Sequence, residues 1–184
     1  MDMSQEYSIH YVCTHQEARK LVSKHDRFWV SNCGCREAKG TCLHSRMDIC
    51  MVFHGDIGAS GSGLREISLT EVLAIFEEAA EKHLVTRPYR NDTRKDITDG
   101  ICFCCPKCCE YFAKPDENIC DKGKSIQETD MALCSYCGDC VPFCYFNARK
   151  MVDEIPVIND DNCFGCGLCA EICPEKAIKL VNRN

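Results

Sequence analysis

The sequence predicts an α+β fold in two units: a small N-terminal α/β domain, and a C-terminal unit built as a duplicated βαβ repeat. Three observations predict it. Two helix-period segments, each opened by a capping-box pattern, alternate with strand-like segments over residues 1–97. Residues 134–144, "CSYCGDCVPFC", align with residues 163–173 of "CFGCGLCAEICP" as an internal repeat. Short alternating segments lie between and after the two copies. Residues 98–130 form a cysteine-rich connector between the domain at 1–97 and the unit at 131–184.

The elements follow in chain order. "EYSIHYV" alternates like a strand. "THQEARKLVSKH" opens with Thr14-x-x-Glu17 and places Ala18, Leu21, Val22 and His25 on one helical face. "RFWVS" reads as a second strand, and "HSRMDICMVF" as a further helix. "HGDIGASGSGLRE" is a Gly/Ser surface loop that could cover a site; its glycines do not match the order of a phosphate-binding loop. "SLTEVLAIFEEAAEKHLVTRPYR" is the clearest helix, capped by Ser68-x-x-Glu71 and buried through Val72, Phe76, Ala79 and Ala80. It exits into a strand, "LVTRPYR". No basic recognition helix follows, which argues against a winged-helix DNA reader.

Composition narrows the function. A net charge of −6 gives no support to nucleic-acid binding, and no apolar run reaches the roughly 20 residues a membrane span needs. The N-terminus lacks the basic start and apolar stretch of a secretory signal, so a cytoplasmic protein is expected. Nineteen cysteines in 184 residues, an odd number, then point away from disulfides and toward metal or redox chemistry. So many thiolates oxidise readily, which suits an anaerobic host.

Each copy of the repeat has the spacing C-x2-C-x2-C-x3-C, and Pro174 follows the second. Cys134, Cys137, Gly138, Cys140, Cys144, Ala148 and Lys150 fall on Cys163, Cys166, Gly167, Cys169, Cys173, Ala177 and Lys179. Thiolates at x2 intervals let one short loop wrap three corners of a cubane. Residues 131–181 resemble the bacterial two-cluster ferredoxins. The resemblance implies two 4Fe–4S clusters, one held by Cys134, Cys137, Cys140 and Cys173, the other by Cys163, Cys166, Cys169 and Cys144. It also implies that the fourth cysteine starts a short helix and crosses to the opposite cluster. Tyr145 stands where the family often has proline, with Pro142 inside the x3 segment instead. "ARKMVDEIPVINDDN" supplies hairpin strands and "AIKLV" the last strand.

Eleven cysteines lie outside the repeat. Cys13 reads as a buried structural thiol. Cys33, Cys35, Cys42 and Cys50, with Cys102, Cys104, Cys105, Cys108 and Cys109, look like two halves of a further centre. Cys33-x-Cys35 on an extended chain points both sulfurs one way, and Arg36 could donate to an anionic cluster. The vicinal pairs of "CFCCPKCC" diverge, so both members of a pair should not bind one metal. Neither half then offers four convergent sulfurs, and the two are expected to meet. The pattern from Trp29 onward is similar to that of cysteine-rich ferredoxin-like proteins of anaerobes, which implies an additional iron–sulfur cluster. Zinc is the weaker alternative, and His44 and His54 read as surface or capping residues. The expected function is single-electron transfer to a redox partner protein or oxidoreductase subunit. The alternatives are a reductase whose N-terminal centre is its substrate site, or a redox or metal sensor.

Overall fold

The computed structural model describes residues 7–55, 61–114 and 120–183. The Gly/Ser loop and the first strand-like segment fall partly outside these residues. Helices α1 (His15–Val22) and α3 (Leu69–Glu81) begin where the capping boxes predict. At α1 the Glu17 N–H donates to Thr14 Oγ1 (3.0 Å) and the Thr14 N–H to Glu17 Oε2 (2.8 Å). Such a cap contributes about 1 kcal/mol. In α3 the buried stripe is Val72, Ile75, Phe76 and Ala79; Ala80 lies exposed, so Ile75 takes the place expected of it.

Strands β1 (His10–Tyr11), β2 (Phe28–Asn32), β3 (Asp48–Val52), β4 (Arg65–Ile67), β5 (Val85–Arg90), β6 (Thr98–Cys104) and β7 (Cys120–Asp121) form one sheet in the order β4-β2-β3-β6-β5-β1-β7. All pairs are antiparallel except β1–β7. The "DICMV" segment, predicted helical, is the strand β3. It lies between β2 and β6 and is buried on both faces, and a short apolar run of that kind has no periodicity to tell it from a helix. The "RPYRNDTRKDITDG" stretch is the β5–β6 hairpin, running from Val85 opposite Cys104 to Arg90 opposite Thr98. Its loop is tied by Asn91 Oδ1, which accepts from the N–H groups of Thr93 and Arg94.

Strand alternation sorts the side chains of this sheet. Val30, Ile49, Met51, Ile101 and Phe103 pack against Ala18, Val22, Ile75 and Phe76 of α1 and α3. Cys50, Cys102, Cys104 and Arg87 border a cavity instead. Val12, Val85, Cys104, Cys109 and Tyr111 form a second buried cluster with Leu168 of α5 (Leu168–Ile172). The C-terminal unit therefore packs directly on the N-terminal one. Burying Leu168 completely contributes about 1.5–3 kcal/mol. His15 spans the same contact, with Nε2 2.8 Å from the Leu84 carbonyl and Nδ1 3.1 Å from Glu171.

The C-terminal unit has two small antiparallel sheets. One pairs β9 (Arg149–Val152) with β10 (Ile155–Ile158), the other β8 (Ser125–Thr129) with β11 (Ile178–Asn182). Residues 98–130 thus divide between the units: β6 completes the large sheet and β8 pairs with the last strand. Cys173 follows the end of α5 rather than starting a helix, and Cys169 lies within it. The helix begins early because Gly167, at φ 86°, turns the chain directly into it.

The repeat is conformational as well as sequential. Gly138 and Gly167, Asn147 and Lys176, and Tyr136 and Gly165 all adopt positive φ at matching positions. Tyr136, at φ 59°, carries a side chain where the second copy has glycine. Gly165 has no such latitude, because a Cβ there would stand 2.0 Å from the Ser125 carbonyl oxygen. Gly165→Ala is expected to cost more than the 1–2 kcal/mol or so of left-handed strain alone, lowering the anaerobic melting midpoint by about 4 °C or more. Tyr136→Gly exchanges that strain for a glycine's extra chain entropy and should be near-neutral. Equal losses in the two variants would contradict this account.

Candidate metal centres

Two cavities in the C-terminal unit are each bordered by four cysteines. Cys134, Cys137, Cys140 and Cys173 line one; Cys144, Cys163, Cys166 and Cys169 line the other. Each set takes three sulfurs from one run and the fourth from the other run. Arg149 lines both cavities and is buried. Its Nη1 donates to Cys140 Sγ (3.4 Å) and its Nη2 to Thr129 Oγ1 (2.9 Å) and Gln127 Oε1. Burial pulls this guanidinium down, but the sulfurs of Cys169 and Cys140 outweigh it and hold it charged. Burial also pushes the Cys169 thiol up to about 11 and that of Cys166 higher still. Such sulfurs stay neutral in isolation and suit a site where metal displaces their protons. Four sulfurs around each cavity, with a buried cation between the two, fit a pair of anionic 4Fe–4S clusters.

The N-terminal cavity encloses about 670 Å³ between β3, β5, β6 and α2 (Gly34–Ala38). Cys33 is the N-cap of α2 and Cys35 lies inside it, so this C-x-C is not extended as the sequence suggested. Residues after Cys33 turn helical because Cys33 O accepts from the N–H groups of both Arg36 and Glu37. The extended C-x-C is Cys102-x-Cys104 on β6, where alternation turns both residues to the cavity. Sulfur contacts run from Cys50 to Cys33, from Cys33 to Cys35, from Cys35 to Cys109, and from Cys109 to Cys104. Cys109 and Cys33 donate to Cys35, which lies well below the usual thiol range; Cys33 and Cys109 are correspondingly raised.

Arg87 is the cation of this cavity. It is 5% exposed, and its Nη1 donates to Cys109 Sγ (3.4 Å) and Cys104 Sγ (3.7 Å). It lies 4.1 Å over the Tyr111 ring. Burial lowers its basicity, but the sulfurs of Cys104, Cys120 and Cys109 more than reverse this. Its buried Nε has no hydrogen-bond partner among the described residues. A buried guanidinium facing thiols with a donor to spare fits an anionic sulfur-rich group. His10 borders the same space, 3.9 Å from Cys102 Sγ, and burial and then Arg87 lower it to about 4.

The remaining predicted cysteines separate from this string. Cys42, Cys105 and Cys108 gather with their sulfurs within 4.8 Å of one another, Cys105 also bordering the cavity. The vicinal pairs diverge as expected: Cys104 and Cys109 go to Arg87, Cys105 and Cys108 to Cys42. The two halves meet, with Lys39 Nζ on the Lys107 carbonyl (2.8 Å) and Arg36 Nη2 on the Phe103 carbonyl (3.1 Å). Cys13 is buried and its thiol is pushed up to about 12 by burial, as a structural thiol should be. Sequence reasoning passed over Arg87, Arg149, Tyr111 and Cys120. Arg149 had a signal, because it breaks the repeat where the second copy has Ile178. Arg87 had none, since a strand arginine is ordinarily solvated.

Comparison with known proteins agrees with the C-terminal geometry. A model of the 4Fe-4S dicluster domain matches residues 133–177. Pyruvate synthase subunit PorD of Methanothermobacter marburgensis is 43% identical over 51 residues, 28% of this chain and 59% of that one. A subunit of the ion-translocating oxidoreductase complex of Methanosarcina acetivorans is 35% identical over 60 residues, 33% of this chain and 23% of that one. A ferredoxin of Methanocaldococcus jannaschii is 33% identical over 54 residues, 28% of this chain and 87% of that one. The chain thus spans less than two thirds of the first two relatives and most of the third. No helix among the described residues is long and apolar enough to cross a membrane. The chain belongs to the ferredoxins, and its C-terminal unit is a dicluster domain with two 4Fe–4S clusters.

Proposed function

We propose that this protein relays single electrons between its two 4Fe–4S clusters, a third iron–sulfur centre in the N-terminal cavity, and a partner oxidoreductase. Cys134, Cys137, Cys140 and Cys173 hold one cluster; Cys163, Cys166, Cys169 and Cys144 hold the other. Cys33, Cys35, Cys50, Cys104 and Cys109 supply the sulfurs of the third. Bound in such sites, a 4Fe–4S cluster supplies one-electron redox chemistry. The protein's part is to place the sulfurs, match their charge and exclude water.

One observation carries this reading. The buried cluster that contains Cys104, Cys109 and Tyr111 also contains Leu168, and Phe112, Phe146, Phe164 and Cys166 pack against it. Phe146 and Phe164 stack at 4.4 Å, and Tyr111 meets Phe146 at 6.2 Å. The N-terminal cavity and the cavity of the second run are thus joined by one apolar, aromatic layer. At the other end Cys137 is exposed, and Leu133 and Tyr136 in the same stretch of chain are 53% and 44% exposed. That end suits an oxidoreductase partner; one relative bears the name of an oxidoreductase complex subunit and another that of a pyruvate synthase subunit. Residues 1–97 with β6 and the turn after it act as the housing of the third centre, and 131–184 with β8 as the relay. The cavity's volume also favours a second reading: about 670 Å³ lies within the range of small-molecule sites, as a reductase would need.

Anaerobically purified full chain should contain clearly more iron than the roughly eight atoms that two 4Fe–4S clusters require. Cys33→Ala/Cys35→Ala should remove the excess and leave the paramagnetic signals of the other two clusters in place. An iron content near eight that the double variant does not change would refute the third centre. Cys173→Ala should chiefly damage the cluster of Cys134, Cys137 and Cys140, and Cys144→Ala the other. If each variant instead lost the cluster of its own run, the crossed ligation is wrong.

A further inference from the structure

Cys42, Cys105 and Cys108 are set apart from the cavity string by their spacing. Their three sulfurs all lie within 4.8 Å of one another, and Cys42 and Cys105 are 3.8 Å apart. Four thiolates on one Zn²⁺, with Zn–S near 2.3 Å, stand roughly 3.8 Å apart along each tetrahedral edge. A cubane spreads its thiolates farther, because each binds a different iron. The triad therefore has the dimensions of a site for one ion. All three cysteines are free thiols, Cys105 and Cys108 are buried, and the three come from two distant segments.

The surroundings supply donors to this triad. Cys108 and the backbone N–H groups of His44 and Ser45 donate to the Cys42 sulfur, and Arg36 lies nearby. Arg36 is 1% exposed. Its Nη1 donates to Ser45 Oγ (3.2 Å) and to the Arg46 carbonyl, and its Nη2 to the Phe103 carbonyl (3.1 Å). One buried guanidinium thus fixes the loop of Cys42 to the strand that leads into Cys105. Apolar packing of three inert thiols would need neither the backbone donors nor the cation.

We propose that Cys42, Cys105 and Cys108 form a separate three-thiolate site for a single thiophilic divalent cation, Zn²⁺, distinct from the iron–sulfur centres. A water molecule or an added thiolate completes its tetrahedron. The ion joins the α2 loop to the β6–α4 turn, where α4 spans Glu110–Ala113. It thereby holds the two halves of the neighbouring cavity in register. The site rests on none of the iron assignments: those are read on iron content, and this one on zinc.

The test uses the full chain, purified anaerobically from zinc-supplemented cells. Elemental analysis should give about one zinc per chain, and X-ray absorption at the zinc edge should show sulfur neighbours near 2.3 Å. Cys42→Ala changes a half-buried loop residue. It should abolish the zinc while iron content and cluster signals stay at the unaltered protein's level. Cys108→Ser, which keeps the packing, should weaken zinc retention against a chromophoric chelator at least tenfold. Protein that contains no zinc and takes up none from added Zn²⁺ would overturn the proposal. So would a Cys42→Ala variant that keeps its zinc, or one that loses iron instead.

Discussion

Buried sulfur charge is the constraint on which the rest of this structure depends. A thiolate taken out of water must be met by metal, donors or a cation, or it reverts to the thiol. The protein meets this with arginines that are themselves buried. Arg149 lies between the two C-terminal cavities, and Arg87 lies beside Cys104 and Cys109. Arg36 lies near Cys42. A buried guanidinium is costly alone, so Arg87 and Arg149 are as dependent on the sulfurs as the sulfurs are on them, while Arg36 is held by oxygen acceptors. Lysine could not replace them easily, because each arginine engages two or more partners through a fixed planar fork.

Distribution of the sulfurs is a consequence of backbone period. On β6, Ile101 and Phe103 go to the helix side while Cys102 and Cys104 go to the cavity. The same alternation on β3 turns Cys50 to the cavity and Ile49 and Met51 to the core. Past β6 the chain turns, with the Cys108 and Cys109 N–H groups donating to the Cys105 carbonyl. That turn returns Cys109 to the cavity side and Cys108 to Cys42. Five cysteines in eight positions thus separate into two groups because a strand and a turn present neighbouring residues in opposite directions.

Much of this was legible in the sequence, and the exceptions have physical reasons. The capping boxes at Thr14 and Ser68 marked both long helices, since a cap is a local signal. The duplicated cysteine runs marked the dicluster unit, since their spacing is set by the metal. Strand β3 was misread because its core residues are chosen by two flanking strands far away in sequence. The C-x-C at Cys33 was misread because the helix it opens has no side-chain cap to announce it. Nothing local distinguishes Arg87 from any other strand arginine. Its role exists only once β5, β6 and Cys109 are brought together.

The two copies of the repeat share a backbone but have been given different surroundings. Around Cys163 and Cys166 stand Phe143, Phe146 and Phe164, facing the N-terminal unit, and Leu168 is sealed into the shared core. Cys137 is exposed, and so are Tyr136 and Leu133 in the same stretch of chain. Cluster potential depends on solvent exposure and on donors to sulfur, so two sites with the same ligands will not have the same potential. Arg149 does not make this difference, since it serves a sulfur of each set, Cys140 at 3.4 Å and Cys169. Duplication supplies the symmetry of the ligands, and the packing of the N-terminal unit beside the cavity of Cys163 and Cys166 removes the symmetry of their environment. Two clusters of unequal potential are not interchangeable: a single electron shared between them rests mostly on the one of higher potential.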